Sequence, residues 1–429
     1  MVETTEHAHG GAEDERLRPG LGAAVSALRG NRAFQCLWFS NLFFFGGVWM
    51  QTLVLGWLAY EMTHSEFLVG VYTAVRLAPM LVGPLSGALA DRFNKVRLLI
   101  VACGWSTLGI AVVAALASAG ALSYPALVIG GLVIGLAQSP SQPARGALAM
   151  ELVGPSHVSN ANALNALALN MTQVIGPAMG GALIATLGAP TALWISVSWY
   201  VLSLLLMLPL RGRGKPASGH HGSPFAMAAS GFRVIGASPV AVAALLVTVG
   251  ANVLIWPVYQ SFMPVFADRM LHLDAAGLGV LLSCAGTGGL VGSLLIAGLG
   301  DFRFKGALFV YGTAVWAALW TVFSLSGTVW LSYGLLVLAG VASAAFGVLQ
   351  STLVLLATPP AVHGRAMGLL ELAIGVMPLS TLALGAIAEL TGVAAMSAVA
   401  GVLMLLTLGG VVLRFPGLRT FRGVQGTPD

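Results

Sequence analysis

Of 429 residues, 57% are hydrophobic and 8% are charged, with 20 Lys or Arg against 15 Asp or Glu. A water-soluble domain carries about 25% charged residues, so this composition excludes one and describes a polytopic membrane protein. The net charge of +5 does not argue for a nucleic-acid partner; its distribution along the chain carries more information than its size.

Residues 1–30 hold Glu3, Glu6, Glu13, Asp14 and Glu15 and open with no basic-then-apolar run. They predict a disordered cytoplasmic tail rather than a cleavable signal peptide. Apolar runs long enough to cross a hydrocarbon core of ~30 Å then recur twelve times. Six fall at 34–60, 67–90, 98–119, 125–144, 161–187 and 191–210, and six more at 239–267, 275–299, 306–325, 329–356, 366–389 and 393–413. The domain expectation is therefore a six-helix bundle over 31–210, a central cytoplasmic loop over 211–237, a second bundle over 238–414 and a tail over 415–429.

Lys and Arg concentrate in cytoplasmic loops. With Arg145 counted in the loop after the fourth span, eighteen of the twenty basic residues fall on one side, leaving Arg269 opposite and Arg76 inside span 2. Both termini are accordingly expected in the cytoplasm, in a cell membrane of the bacterial inner-membrane type. The halves also repeat: 84–97 corresponds to 294–306, and 154–162 to 359–367. Internal duplication is a common construction of secondary transporters, with the substrate site near midplane between the repeats.

Polar side chains inside lipid are costly and usually face a bundle interior or a watery cavity. Spans 3, 6, 9 and 12 contain no Asn, Gln, Asp, Glu, Lys or Arg, which suggests lipid-facing supports. The remaining spans carry Asn41, Gln51, Arg76, Gln138, Gln142, Asn252, Gln260, Gln350 and Glu371. Residues three or four apart share a helix face, so Gln138, Ser141, Gln142 and Arg145 form one stripe. Asn252, Trp256, Tyr259 and Gln260 form a second, able to bind an aromatic or amphipathic solute by stacking and hydrogen bonding; interhelical packing is the alternative for it. The amides of span 5, Asn162, Asn165, Asn170 and Gln173, are read as packing.

Cys36, Cys103 and Cys284 show no paired spacing, and the eight histidines lie in tails and loops without fitting carboxylate or thiol neighbours. Neither a disulfide nor a metal site is expected. Without a P-loop, a dinucleotide fingerprint or a Ser/His/Asp arrangement, no enzyme and no cofactor are expected, and transport would draw on an ion gradient.

Gly87-Ala-Leu-Ala-Asp91-Arg92-Phe-Asn-Lys95-Val-Arg97 resembles the loop 2–3 signature of the major facilitator superfamily, with Asn94 where a glycine is usual. Gly176-Pro177-Ala-Met-Gly180-Gly181 resembles the span 5 signature of its exporting branches, with Thr172 in place of the leading glycine. Arg29–Phe34, Arg76–Pro79, Pro143–Arg145 and Asn160–Leu164 are similar to the exporter group that contains the enterobactin exporter and macrolide efflux pumps. The resemblance implies an all-α protein of twelve transmembrane helices in two pseudo-symmetric halves. It further implies alternating access, with Asp91 facing the N-terminus of helix 11 and Asp301 making the matching contact at helix 5. Arg92, Lys95 and Arg97 belong to that gating loop, or serve only to orient it.

The function expected is a monomeric, proton-coupled exporter of a small amphipathic molecule, such as a siderophore or drug. The alternatives are an importer or facilitator on the same fold and a non-transporting receptor. Glu371 is the only carboxylate well inside a span, six residues beyond Arg365, or ~9 Å at 1.5 Å per residue. Ionisation at that depth is costly without a partner or water, which makes proton exchange feasible. Arg76 and Asp91 are the other coupling candidates.

Overall fold

The computed structural model describes residues 31–82, 93–153, 158–213, 235–236, 238–300, 302–359 and 362–422, with the side chains of 82, 158–163 and 364 excepted. Gly87, Asp91, Arg92 and Asp301 therefore lie outside the described residues, as do the tail over 1–30 and most of the central loop. Among the described residues the structure is helical, without strands.

The first half comprises α1 (Arg32–Thr63), α2 (Glu66–Leu77), α3 (Lys95–Ser118), α4 (Tyr124–Val153), α5 (Val158–Leu187) and α6 (Ala189–Leu210). The second comprises α7 (Pro239–Ser261), α8 (Ala275–Gly298), α9 (Lys305–Ser324), α10 (Val329–Leu356), α11 (Arg365–Thr391) and α12 (Val393–Arg414). Eleven of these are long and apolar enough to span a bilayer by themselves. The other, α2, continues as a 3-10 turn over Ala78–Val82. A short α13 (Gly417–Thr420) packs beneath α9, where the Gly306 N–H donates to the Phe421 carbonyl at 3.3 Å.

Helix starts follow local chemistry. The Asn31 side chain accepts from the Ala33 and Phe34 amides at 3.1 and 3.2 Å. Ser65, Asn94, Ser123, Ser238 and Asp274 cap α2, α3, α4, α7 and α8 in the same way. Each supplies an acceptor to the unsatisfied amides of a first turn. The duplication is visible in the backbone. Gly188 joins α5 to α6 and Gly392 joins α11 to α12 at φ 82° and 83°, a left-handed conformation that glycine adopts without a Cβ penalty. His64 after α1 and His272 after α7 are the only non-glycine residues with positive φ among the described residues, at 47° and 51°. These pairs are in equivalent places of the two repeats.

Three span limits differ from the sequence expectation. The fourth span runs past Ala144 to Val153 after a turn at Ser139–Pro140. The seventh is interrupted at Ile255 and Phe262, each just before a Trp-Pro or Met-Pro pair, and closes in a π turn, Phe266–Met270. The eleventh is interrupted at Val376, before Met377-Pro378. In each, proline removes a backbone donor and crowds the preceding turn, so the helix breaks there.

Helices α3, α6, α9 and α12 pack only within their own halves among the principal contacts. They display large exposed apolar side chains, including Trp105, Leu108, Leu205, Tyr311, Val322 and Leu406. That is the composition of a lipid-facing wall. The halves meet through α5 against α8 and α2 against α11, with α1 beside the Met263–Val265 turn that extends α7. Gly181 of α5 faces Ala275 and Gly279 of α8 so closely that a Cβ on either glycine would strike the other backbone, the close approach that small residues permit between membrane helices.

Candidate functional site

The helix order places Lys95, Arg211, Arg213, Arg303, Lys305, Arg365 and Arg414 at one end of the bundle, the basic end. Glu61, Glu66, Asp268, Asp274 and Glu389 lie at the other, the acidic end.

At the acidic end the two halves are tied by polar contacts. The Glu389 carboxylate of α11 accepts from Ser65 Oγ at 2.9 Å and from the Phe67 amide at 3.0 Å, so an acid of one half sits on the helix N-terminus of the other. An N-terminus carries unsatisfied amides and partial positive charge, which favour that placement. From the π turn after α7, Arg269 pairs with Glu66 and donates to the His64 carbonyl at 2.6 Å. Its neighbour Asp268 accepts from the Tyr60 hydroxyl at 2.7 Å. Every one of these contacts joins the first half to the second.

Directly inside this seal is a cavity between the halves. It is lined by Trp49, Thr52 and Gly56 of α1, Tyr259, Gln260 and Pro264 along α7 and its extension, and Leu278 and Leu282 of α8. Its volume is about 20 Å³, enough for one or two waters and far below the several hundred Å³ of a drug-sized site. A substrate could fit here only if the halves separate. Thr52 lies eleven residues from the end of α1 at Thr63, or ~17 Å, which puts the cavity near mid-depth of a ~30 Å core.

Of the sequence-predicted cavity residues, Tyr259 and Gln260 line this space. Trp256 stands beside it in edge-on contact with Tyr259 at 5.7 Å and Trp316 at 5.9 Å, within the aromatic packing of the second half. Asn252 is buried, donating to the Thr248 carbonyl of its own helix at 2.9 Å. Gln350 Oε1 is buried without a hydrogen bond. Gln138 and Gln51 are joined inside the first half through Tyr200, with successive hydrogen bonds of 3.0 Å each. Arg76, 4% exposed, donates from Nη1 to Thr52 Oγ1 at 3.0 Å and so reaches the cavity wall.

The α4 stripe splits. Gln142 is exposed, whereas Arg145, assigned to a loop by its position after the fourth apolar run, lies within α4 and is 1% exposed. It donates to Asn41 Oδ1 at 2.6 Å, Ser40 Oγ at 3.1 Å, Cys103 Sγ at 3.1 Å and Ser203 Oγ at 3.3 Å, and stacks over Phe44 at 4.2 Å. Asn41 donates onward to Asn165 at 2.8 Å. Arg145 thus organises the interior of the first half, and it leaves the count of loop cations. Its signal in the sequence is the i, i+4 spacing that it shares with Ser141.

In α5, Gly176 packs on Trp49 and Met50 of α1, Gly180 on Met50, and Gly181 on α8, with Pro177 contributing its carbonyl beside Gly279. The exporter-type motif is the strip on which α1 and α8 meet α5. Near the basic end Lys95 pairs with Glu151, joining the start of α3 to the end of α4, while Arg97 is exposed. Glu371 is exposed, four residues before Gly375. A Cβ at Gly375 would come within 2.6 Å of the Met80 carbonyl of α2. Because i and i+4 share a face, Glu371 is on the side of α11 that meets the first half. The acidic-end seal was not anticipated as a unit: Arg269 stood out as the lone basic residue on its side, but its partners lie far apart in sequence.

Relatives and neighbours agree with this architecture. An enterobactin exporter from Citrobacter koseri is 29% identical over 388 residues, covering 86% of this chain and 88% of its own. A staphyloferrin A transporter from Staphylococcus aureus is 24% identical over 263 residues, 60% of this chain and 65% of the relative. The solved structure of a bacterial homologue of the human lysosomal transporter Spinster, inward-facing and unoccupied, superposes with a TM-score of 0.70 at 15% identity, covering 92% of this chain and 98% of that one. With the sequence model of the transmembrane secretion effectors matching residues 23–423, the chain belongs to that family of the major facilitator superfamily and is a multi-pass secondary transporter that exports small molecules.

Proposed function

We propose that this protein exports a small amphipathic molecule of the siderophore type across the bacterial inner membrane in exchange for protons, working as a monomer with its basic end in the cytoplasm. The observation that carries the proposal is the mid-depth cavity whose walls come from both halves and whose acidic end is crossed by contacts between them. Such a site is exposed to one side or the other as the halves rock, which is alternating access. Tyr259 offers an aromatic face and Gln260 an amide to a substrate that is part apolar and part polar. The enterobactin and staphyloferrin A relatives support a siderophore-like cargo.

Glu371 is the proton carrier in this proposal. It has no hydrogen-bonded or charged partner among the described residues, and in this proposal protonation lowers the cost of closing the basic end over it. Asp91, on the loop that resembles the family's gating signature, would hold the basic end shut against α11. The experiment is uptake into everted membrane vesicles carrying the protein, with an imposed pH gradient and enterobactin as the trial cargo. Wild type accumulates cargo, and Glu371→Gln retains exchange but loses gradient-driven accumulation. Full accumulation by that variant overturns the role of Glu371; accumulation in right-side-out vesicles instead overturns export.

A further inference from the structure

Among the described residues the first half contains two buried arginines inside its spans, and they differ in their partners. Arg145 donates four hydrogen bonds from its two terminal nitrogens and stacks on Phe44, with Nε alone buried without a partner, which is how a structural guanidinium is made tolerable in a bundle. Arg76 is less deeply buried, 4% exposed, and makes one hydrogen bond among the described residues, to the neutral Thr52 hydroxyl; its other guanidinium nitrogens are not among the buried atoms without a partner, so they keep access to the space around them. Thr52 in turn donates to the Val48 carbonyl at 2.7 Å. A guanidinium carries five N–H donors and no acceptor. No carboxylate pairs with Arg76 among the described residues.

Its surroundings add no carboxylate among the described residues. Tyr72 lies one turn earlier on the same face of α2, and both Tyr72 and the stem of Arg76 flank Gly131 of α4 within 3.5 Å of where a Cβ would be. The Tyr72 hydroxyl is buried without a partner. So is Nε2 of Gln51, whose Oε1 already accepts from Tyr200. A cation with no carboxylate partner among the described residues, together with an unmatched amide donor and an unmatched hydroxyl at mid-depth beside a cavity wall that includes no acid, is an arrangement completed by negative charge brought from outside the chain.

We propose that Arg76 is the anion-recognition group of the transport site, and that the exported molecule bears an ionised carboxylate or an equivalent pair of acidic oxygens. This rests on the exporter reading above and narrows its cargo. The guanidinium takes the two oxygens side by side in the bidentate geometry that arginine favours. Tyr259 and Gln260, across the cavity on the second half, hold the body of the molecule. The anion is therefore held from the first half and the body from the second, so a cargo lacking the charge loses one of the two attachments.

The test uses the full-length protein in nanodiscs and matched pairs of acid and primary amide: benzoate and benzamide, and dansyl-phenylalanine and its carboxamide. Thermal stabilisation and fluorescence titration report binding at pH 7.5. The expected result is at least tenfold tighter binding of each acid than of its amide, a ratio that falls to about one in Arg76→Gln and survives in part in Arg76→Lys. Tyr72→Phe, which removes only a hydroxyl, should reduce the ratio severalfold and serves if Arg76→Gln fails to fold. No preference for either acid in wild type, or an undiminished preference in Tyr72→Phe and Arg76→Gln, overturns the proposal. Everted vesicles separate it from the parent reading. Equal transport of acid and amide removes the anion site while leaving an exporter. Binding of the acid with no transport of any cargo, enterobactin included, leaves the site and removes the exporter.

Discussion

Replacing Arg269 by Ala should open the acidic end. The substitution deletes the ion pair to Glu66 and the hydrogen bond to the His64 carbonyl, while the Glu389 and Asp268 contacts persist. Breaking a fully buried pair costs about 3–5 kcal/mol because the surviving charge is stranded. Here the Glu66 side chain is 4% exposed but that of Arg269 is 45% exposed, so water already screens one partner and the loss falls to about 1–2 kcal/mol. That corresponds to a factor of roughly 5–30 in the ratio of closed to open states. Spin labels at Met62 and Leu390, both exposed near the seal, report the separation of the halves by pulsed electron resonance. Only Cys36 and Cys284 need replacing, since Cys103 is buried. The long-distance population should grow severalfold in Arg269→Ala and much less in Arg269→Lys. An unchanged distance distribution in a folded Arg269→Ala protein would refute the idea that these contacts set the closed population.

Four further outcomes are expected. Tyr259→Ala should weaken binding of an aromatic acid by up to about tenfold in the nanodisc titration, a stacking contact being worth roughly 0.5–1.5 kcal/mol beyond its area; Trp256→Ala, which loses packing on Trp316, should lower the unfolding temperature more than the affinity. Arg145→Lys keeps the charge but loses the planar fork that reaches Asn41, Cys103 and Ser203, so unfolding in detergent should be easier by about 1–3 kcal/mol, and unchanged thermal unfolding would contradict the network. Gly181→Ala drives a methyl group into the Ala275 carbonyl of α8, an overpacking cost of about 1–3 kcal/mol borne by the closed acidic end, and the same spin-label pair should report opening.

The fold was legible because hydrocarbon thickness fixes the length of an apolar run, and because lysine and arginine were spared from all but a few positions inside it. What misled was the reading of Arg145. A guanidinium after an apolar run looks like a loop residue, yet here Ser40, Asn41, Cys103 and Ser203 from three other helices supply its partners, and no one-dimensional pattern records such a convergence. The breaks at Ile255 and Val376 were announced by Trp256-Pro257 and Met377-Pro378 but submerged in uniform hydropathy. At the site, Tyr259 and Gln260 were found by their shared face with Trp256, and helical periodicity alone could not tell which of the three turns to the partner half. Thr52 and Trp49, which complete the wall, carry no signal that separates them from packing residues.

The acidic-end seal bears on how transport is balanced. Glu389 on the first turn of α2 is the arrangement that family resemblance assigns to Asp91 and α11 at the opposite end: a carboxylate of one half on the helix N-terminus of the other. Each such contact is worth about 0.3–2 kcal/mol, and the acidic end adds the Arg269–Glu66 and Asp268–Tyr60 pairs. If the two ends were very unequal, the protein would rest in one state and cargo would have to supply the whole difference, since a ligand shifts a conformational equilibrium only by its differential affinity for the two states. An anionic cargo on Arg76 can provide that difference, because it pairs with a guanidinium that has only the Thr52 hydroxyl as partner among the described residues. Cargo binding and release of the acidic-end seal are then two terms of one balance, so weakening the seal at Arg269 should reduce the cargo needed to reach the open state as well as raise the open population without it.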